Sequence, residues 1–120
     1  PSNMTPSVVR RPHAVLAVGS PGADRITTAI HQFLVHFIRR GLPLPEAIAH
    51  PRLHLALTPS GSKVATEPGL EPGDCGLAVT RYPDLSMYFG GVAAALFDDE
   101  RGFDVAADPR REGATFLSPL

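Results

Sequence analysis

Residues 19–26 read GSPGADRI and connect an alternating apolar stretch, residues 14–18, to the most strongly periodic segment of the chain. Alternating apolar residues are typical of a strand, whereas apolar residues at spacings of three and four are typical of one face of a helix. The residues with helical spacing are Ile26, Ile30, Phe33, Leu34, Phe37 and Ile38. The sequence therefore predicts a strand, a glycine-rich turn and one long amphipathic helix.

The ends of this helix have recognisable signals. Ser20 suits the N-cap position, because its hydroxyl can accept a hydrogen bond from an unpaired amide, and Pro21 suits the first helical position. At the other end, Arg39 and Arg40 complement the helix dipole, and Gly41 supplies the left-handed residue that commonly follows a helix. We expect the helix to begin at Pro21 and to end before Gly41.

The rest of the chain is expected to form short elements, because thirteen prolines and eleven glycines interrupt it. A hairpin is expected from strands at residues 88–97 and 103–107, with the first strand buried on both faces. Further elements are expected as two paired strands at residues 8–9 and 14–18, a short helix at 45–50, a strand candidate at 63–66, and mostly loop over 58–74. The predicted fold class is α/β (α+β).

Composition predicts one domain, residues 1–120, and excludes several functions. Eleven basic and twelve acidic residues give a net charge of −1, which argues against a nucleic-acid partner. No apolar run reaches the roughly 18 residues needed to span a bilayer. The single Cys75 cannot form an internal disulfide and has no neighbour that would activate its thiol. The sequence leaves the compartment undetermined.

Neither a cofactor nor a metal ion is expected. The glycine turn matches neither the dinucleotide nor the phosphate-loop pattern. His50 and His54 are four residues apart, but Pro51 separates them and no third ligand accompanies them. Arg110 and Arg111 have two interpretations: they clamp a ligand carboxylate, or they pin an Asp-Pro turn through salt bridges. The second interpretation is preferred.

Two polar clusters are candidate binding groups. The amides of Gly22 and Ala23 lie near a helix N-terminus, where unpaired N–H groups favour an anion or the oxyanion of an acyl-transfer intermediate. Ser2, Asn3 and Thr5 could hold the carboxylate and amine of a ligand. By physics alone, an ordinary strand-to-helix turn and a loose polar segment are the more common explanations of these two patterns.

Taken together, four ordered segments resemble the small subunit of the γ-glutamyltranspeptidases, a family of N-terminal-nucleophile hydrolases. The matching segments are SNMTPSVV at residues 2–9, GSPGADRI at 19–26, EAIAHPRLH at 46–54 and ADPRREG at 107–113. The resemblance implies an α/β/β/α sandwich, antiparallel strands and an N-terminal threonine, released by autocleavage, that is both nucleophile and general base. Residues 57–85 match poorly, where the family usually has a helix between two strands.

The resemblance also implies roles for individual residues. Ser2 and Asn3 align with paired serines that hold the α-carboxylate of the γ-glutamyl group, and Gly22 and Ala23 align with the oxyanion amides. The family's nucleophile lies upstream of the position of Pro1. We therefore expect a C-terminal fragment of the small subunit that is inactive alone.

The expected partners are the remainder of the small subunit, the large subunit and a γ-glutamyl small-molecule substrate. The family is often periplasmic or extracellular. Two alternatives stay open: a non-catalytic module that binds an anion or a partner chain, and a related acylase of β-lactam side chains or polyglutamate, which Asn3 and Ala23 permit.

Overall fold

The structure, a computed structural model, describes residues 4–119 and contains two sheets and several helical segments. The strands of this part of the chain are β1 (Ser7–Arg11), β2 (Ala14–Gly19), β3 (Leu53–Thr58), β4 (Gly61–Thr66), β5 (Ala78–Arg81), β6 (Ala93–Asp98) and β7 (Gly102–Ala107). The helical segments are a 3-10 turn (Ala23–Arg25), α1 (Ile26–Leu34), a π turn (Val35–Arg39), α2 (Leu44–Ala49), and 3-10 turns at Met87–Phe89 and Pro109–Arg111. The 3-10 turn, α1 and the π turn run on continuously and are called the long helix.

The larger sheet has the strand order β1-β2-β6-β7, and all its neighbouring strands are antiparallel. In the smaller sheet, of order β3-β4-β5, the first pair is antiparallel and the second is parallel. This mixed α+β arrangement confirms the predicted fold class. The β6–β7 hairpin confirms that the predicted hairpin exists. The prediction that its first strand begins at residue 88 is wrong, because residues 87–89 form a 3-10 turn.

The long helix packs on the larger sheet and forms the core. Phe33 is completely buried, and Ile26 and Ile30 are nearly so, against Leu16 and Val18 of β2. Burying one such side chain contributes about 1.5–3 kcal/mol. The apolar face predicted from the spacing is therefore the buried face, as expected.

The two ends of the long helix differ in how well the sequence predicts them. Gly41 has φ +66°, the left-handed conformation predicted for the residue after the helix. The predicted start is wrong. The first turn begins at Ala23 after Gly22, and no side chain caps it. Ser20 is fully buried, and its hydroxyl contacts other groups.

Residues 58–74, expected to be mostly loop, contain β4, which confirms the strand candidate at residues 63–66. β3 before this region and β5 after it were not predicted as strands. β3 and β4 form a hairpin, and β5 pairs parallel to β4. Parallel strands are usually joined by a crossover helix, but residues 67–77 contain no helix. Leu57, on the hairpin, is 80% exposed.

One face of the larger sheet packs on the long helix, and the opposite face is called the outer face. Across it the register aligns Val8, Ala17, Ala95 and Val105 in one row. Val8 is 65% exposed, and Ala17 and Ala95 are also exposed. The prediction that the first hairpin strand is buried on both faces is therefore wrong for the chain by itself. In the described residues, no helix is both long and apolar enough to cross a membrane.

Candidate active site

The turn between β2 and the long helix has an unusual backbone. Gly22 has φ +137° and Ala23 has φ +49°, so a residue with a Cβ occupies the left-handed region. This conformation costs about 1–2 kcal/mol for an L-residue other than glycine. The amides of Gly22 and Ala23 donate to no acceptor among the residues that the structure describes, and Ala23 is exposed. Neither N–H group is therefore occupied by a hydrogen bond to this described part of the chain.

A second glycine, Gly90, supports this turn from behind. A Cβ placed on Gly22 would lie 3.1 Å from the Cα of Gly90. A Cβ on Gly90 would lie 2.9 Å from Oγ of Ser20 and 3.0 Å from Cβ of Ala29. The turn keeps its shape because two backbone segments meet where no side chain fits.

Arg25 holds the first turn of the long helix against residues 86–92, which contain Gly90 and are called the supporting segment. Its Nε donates to the carbonyl of Tyr88 at 3.0 Å, and its guanidinium lies 4.6 Å from the centroid of the Tyr88 ring. A cavity of about 240 Å³ lies beside this contact, and Asp24 and His54 also line it. The pKa of His54 is lowered by burial and then by the charge of Arg25.

Beneath the supporting segment lies a buried ionic network of Arg52, Glu67, Asp108 and Arg110. Arg110 donates through Nε to Glu67 at 2.7 Å, and its Nη2 pairs with the same carboxylate. Asp108 accepts from Nη1 of Arg110 at 3.1 Å and from Nη2 of Arg52 at 2.8 Å. Within residues 4–119, no buried side-chain N or O atom lacks a hydrogen-bond partner. The network is therefore fully satisfied, which a buried group of charges requires.

The carboxylates of the network also hold the backbone that leads to Gly90. Glu67 accepts from the amide of Ser86 at 2.9 Å, and Asp108 accepts from the amide of Val92 at 2.8 Å. Between these points, Nη1 of Arg52 donates to the carbonyl of Phe89 at 3.1 Å. The network thus fixes residues 86–92, which in turn support the Gly22 turn.

Two arginine pKa values reflect these contacts. Burial lowers the pKa of Arg52, and the charge of Asp108 only partly opposes it. Burial acts in the same direction on Arg110, but its hydrogen bond to Glu67 and the charge of Asp108 outweigh burial and raise its pKa. The preferred interpretation of an Asp-Pro turn pinned by arginine is confirmed for Arg110. Arg111 is exposed.

The predicted site residues fall into two groups. In the structure Gly22 and Ala23 lie together at the start of the long helix, whereas Ser2 and Asn3 lie outside the described residues. Nothing in the sequence analysis singled out Arg52 or Glu67. The one available signal was that Glu67 directly follows the strand candidate at residues 63–66. A charged side chain next to a buried strand needs a buried partner, so this position could have indicated an ion pair.

The histidines pair differently from their sequence spacing. The rings of His36 and His50 stack with centroids 3.7 Å apart, and Nη1 of Arg40 lies 3.1 and 3.2 Å from one nitrogen of each. Burial, then His50 and Arg40, lower the pKa of His36 to about 4. Nδ1 of His54 instead bonds the Thr28 hydroxyl at 3.0 Å. In the part of the chain that is described, no three His, Cys, Asp or Glu side chains are grouped to hold a metal ion.

Comparison with curated proteins finds glutathione hydrolase proenzymes as relatives. The glutathione hydrolase proenzyme of Pseudomonas aeruginosa is 33% identical over 126 residues, which cover 93% of this chain and 21% of that protein. The chain thus spans about a fifth of the length of this curated relative.

Solved structures agree with this relationship. The transpeptidase CapD of Bacillus anthracis superposes with a TM-score of 0.82 at 24% identity, over 98% of this chain and 72% of that chain, which shows the shared fold. A highly active mutant of the γ-glutamyltranspeptidase of Pseudomonas nitroreducens gives a TM-score of 0.79 at 28% identity, over 100% and 64% of the two chains. The family model described as gamma-glutamyltranspeptidase matches residues 1–118. The chain therefore belongs to the γ-glutamyltranspeptidase family, whose members here have the N-terminal-nucleophile hydrolase fold.

Proposed function

We propose that this chain supplies the oxyanion-binding amides of Gly22 and Ala23 to an enzyme that hydrolyses or transfers γ-glutamyl groups. The observation that carries the proposal is the strained turn, which leaves two adjacent N–H groups at the start of a helix without an acceptor among residues 4–119. Attack on an amide carbonyl places negative charge on its oxygen, and each well-placed donor then contributes about 10²–10³-fold to kcat. Strain is retained at such a turn because the surrounding packing enforces it.

The rest of the catalytic machinery is proposed to come from sequence outside these 120 residues. An N-terminal threonine would attack the γ-carbonyl through its hydroxyl, and its α-amine would take the hydroxyl proton and pass it to the leaving amine. Water then hydrolyses the acyl-enzyme, or an acceptor amine takes the γ-glutamyl group. Ser2 and Asn3 are proposed to bind the α-carboxylate of that group. The name glutathione hydrolase proenzyme, given to the relatives, supports a processed enzyme and a γ-glutamyl amide substrate.

The direct test uses the protein expressed from the longest reading frame that contains this chain. We expect it to release p-nitroaniline from γ-glutamyl-p-nitroanilide and to leave α-glutamyl-p-nitroanilide intact. Replacing the threonine at its processing site by alanine should abolish turnover. A correctly processed protein that cleaves no γ-glutamyl amide would contradict the proposal.

We also propose that the remainder of the enzyme covers the outer face of the larger sheet. A sheet in a globular protein buries its apolar face against another layer, whereas here Val8, Phe97 and Phe103 are 65%, 38% and 54% exposed. Contiguous apolar surface of this kind marks an interaction site. The occupant that fits is a second sheet from the remaining subunit sequence, as in the sandwich of the family.

Replacing Ala95 by aspartate tests this interface. Ala95 lies in the central row of the outer face and is exposed, so the chain should fold normally while the charge prevents a second sheet from packing. We expect assembly with the remaining subunit sequence, measured by co-purification, to be lost. The matched control is Ala78→Asp on β5, which is also exposed and should assemble normally. Equal assembly of both variants would exclude the outer face as the interface.

A further inference from the structure

We propose that Ser20 is a positioning residue that aims the N–H group of Gly22 at the oxyanion. The proposal rests on the proposed function of the turn and assigns to Ser20 a role in the same site. Ser20 contacts no substrate. It acts through the peptide bond that joins Pro21 to Gly22.

The geometry of that peptide bond gives Ser20 its influence. Oγ of Ser20 donates a hydrogen bond to the carbonyl oxygen of Pro21 at 2.8 Å. This carbonyl and the N–H of Gly22 belong to one planar unit and point in opposite directions when the bond is trans. A hydrogen bond that fixes the carbonyl therefore also fixes the direction of the N–H, and it polarises the same unit.

A second hydrogen bond orients the serine hydroxyl itself. The amide of Gly91 donates to Oγ of Ser20 at 3.1 Å, which occupies a lone pair of that oxygen and leaves its proton directed at Pro21. The backbone amide of Ser20 is held in turn by the carbonyl of Met4 at 2.9 Å. Because Ser20 is 0% exposed, water does not compete for either bond. A continuous chain of donors thus runs from Gly91 to the peptide of Gly22.

The same contacts explain why Ser20 does not cap the long helix. Its hydroxyl proton and one lone pair are engaged by Pro21 and Gly91, and the first helical turn has no side-chain cap. The uncapped amides stay available at the mouth of the turn. Because the oxyanion forms only during the reaction, a fault in aiming Gly22 should reduce kcat and leave substrate binding nearly unchanged.

Kinetics of Ser20 variants provide the first test, in the protein expressed from the longest reading frame containing this chain. Ser20→Ala is expected to lower kcat about 10- to 100-fold, in line with the cost of a misplaced catalytic group, with KM within about twofold. Ser20→Cys keeps a weak donor and should give an intermediate kcat. The control is Ser60→Ala on the turn between β3 and β4, which removes a serine hydroxyl that hydrogen-bonds Oγ1 of Thr58 at 3.0 Å and should leave kcat within about twofold.

Amide NMR of glycine-labelled protein provides a readout that does not depend on activity. In Ser20→Ala the Gly91 amide should exchange with solvent at least tenfold faster, and the Gly22 resonance should move, while neither changes in Ser60→Ala. A kcat equal to that of the control, or an unmoved Gly22 resonance, overturns the proposal. If the unmutated protein cleaves no γ-glutamyl amide, the proposed function fails, and the Gly22 resonance alone then decides whether Ser20 positions this peptide.

Discussion

Replacing Glu67 by alanine is expected to lower the free energy of unfolding of the chain by about 3–5 kcal/mol, the usual cost of removing one partner of a buried ion pair. The Glu67 side chain is fully buried with that of Arg110, and its loss leaves a guanidinium without its strongest acceptor. It also leaves the amides of Arg52 and Ser86 unpaired. Against a typical total of about 5–15 kcal/mol, this loss is large. Urea unfolding monitored by circular dichroism measures it.

The matched control is Glu71→Ala. Glu71 also pairs with an arginine, Arg81, at 2.9 Å, but both side chains are exposed, at 75% and 58%. Exposed pairs contribute little because solvent screens them, so the unfolding midpoint should not move. Similar midpoints for Glu67→Ala and Glu71→Ala would show that the buried network is not what stabilises this fold.

Gly90→Ala is expected to have the second-largest effect, because two penalties coincide at this residue. Its φ of +93° and ψ of −158° lie in a region essentially restricted to glycine, which costs about 1–3 kcal/mol for other residues. The new Cβ would also lie 3.0 Å from that of Ala29 and 2.9 Å from Oγ of Ser20, and overpacking of this kind costs about 1–3 kcal/mol more. We expect a total loss of about 2–6 kcal/mol by urea unfolding. In the proposed enzyme, kcat should fall with it, because the displaced Ser20 hydroxyl no longer holds the Gly22 turn.

Gly69→Ala separates the two penalties. Gly69 has φ +89°, close to that of Gly90, but a Cβ there would meet only Cγ of Pro51 at an ordinary 3.6 Å. The control should therefore lose about 1–2 kcal/mol from the left-handed backbone and retain its kcat. If both variants lose the same stability and activity, the close approach at Gly90 has no special role.

The sequence predicted the long helix well and its start poorly, for a physical reason. The spacing of Ile26, Ile30 and Phe33 depends only on helical geometry, so a local pattern sufficed. The hydroxyl of Ser20 had a competing acceptor next to it and a donor, Gly91, that lies far along the chain. A capping rule that considers neighbours in sequence cannot detect such a partner.

In the smaller sheet, β4 was predicted as the strand candidate at residues 63–66, whereas β3, β5 and the ionic network were missed for related reasons. Residues 67–77 lack the helix that normally signals a parallel connection, and β5 is too short to show a period. The network joins residues from three separate segments, so Arg52 and Glu67 were indistinguishable from surface charges. Arg110 was predicted correctly because the Asp-Pro turn beside it is a local feature.

The buried network also bears on the order in which the chain acquires its structure during synthesis. Arg52 and Glu67 leave the ribosome with β3 and β4, well before Asp108 and Arg110, which follow the last strand. Until these later residues emerge, the earlier charges can be buried only without their partners, which is strongly unfavourable. Burial of Arg52 and Glu67 is thereby discouraged until the turn after β7 is present to pair with them.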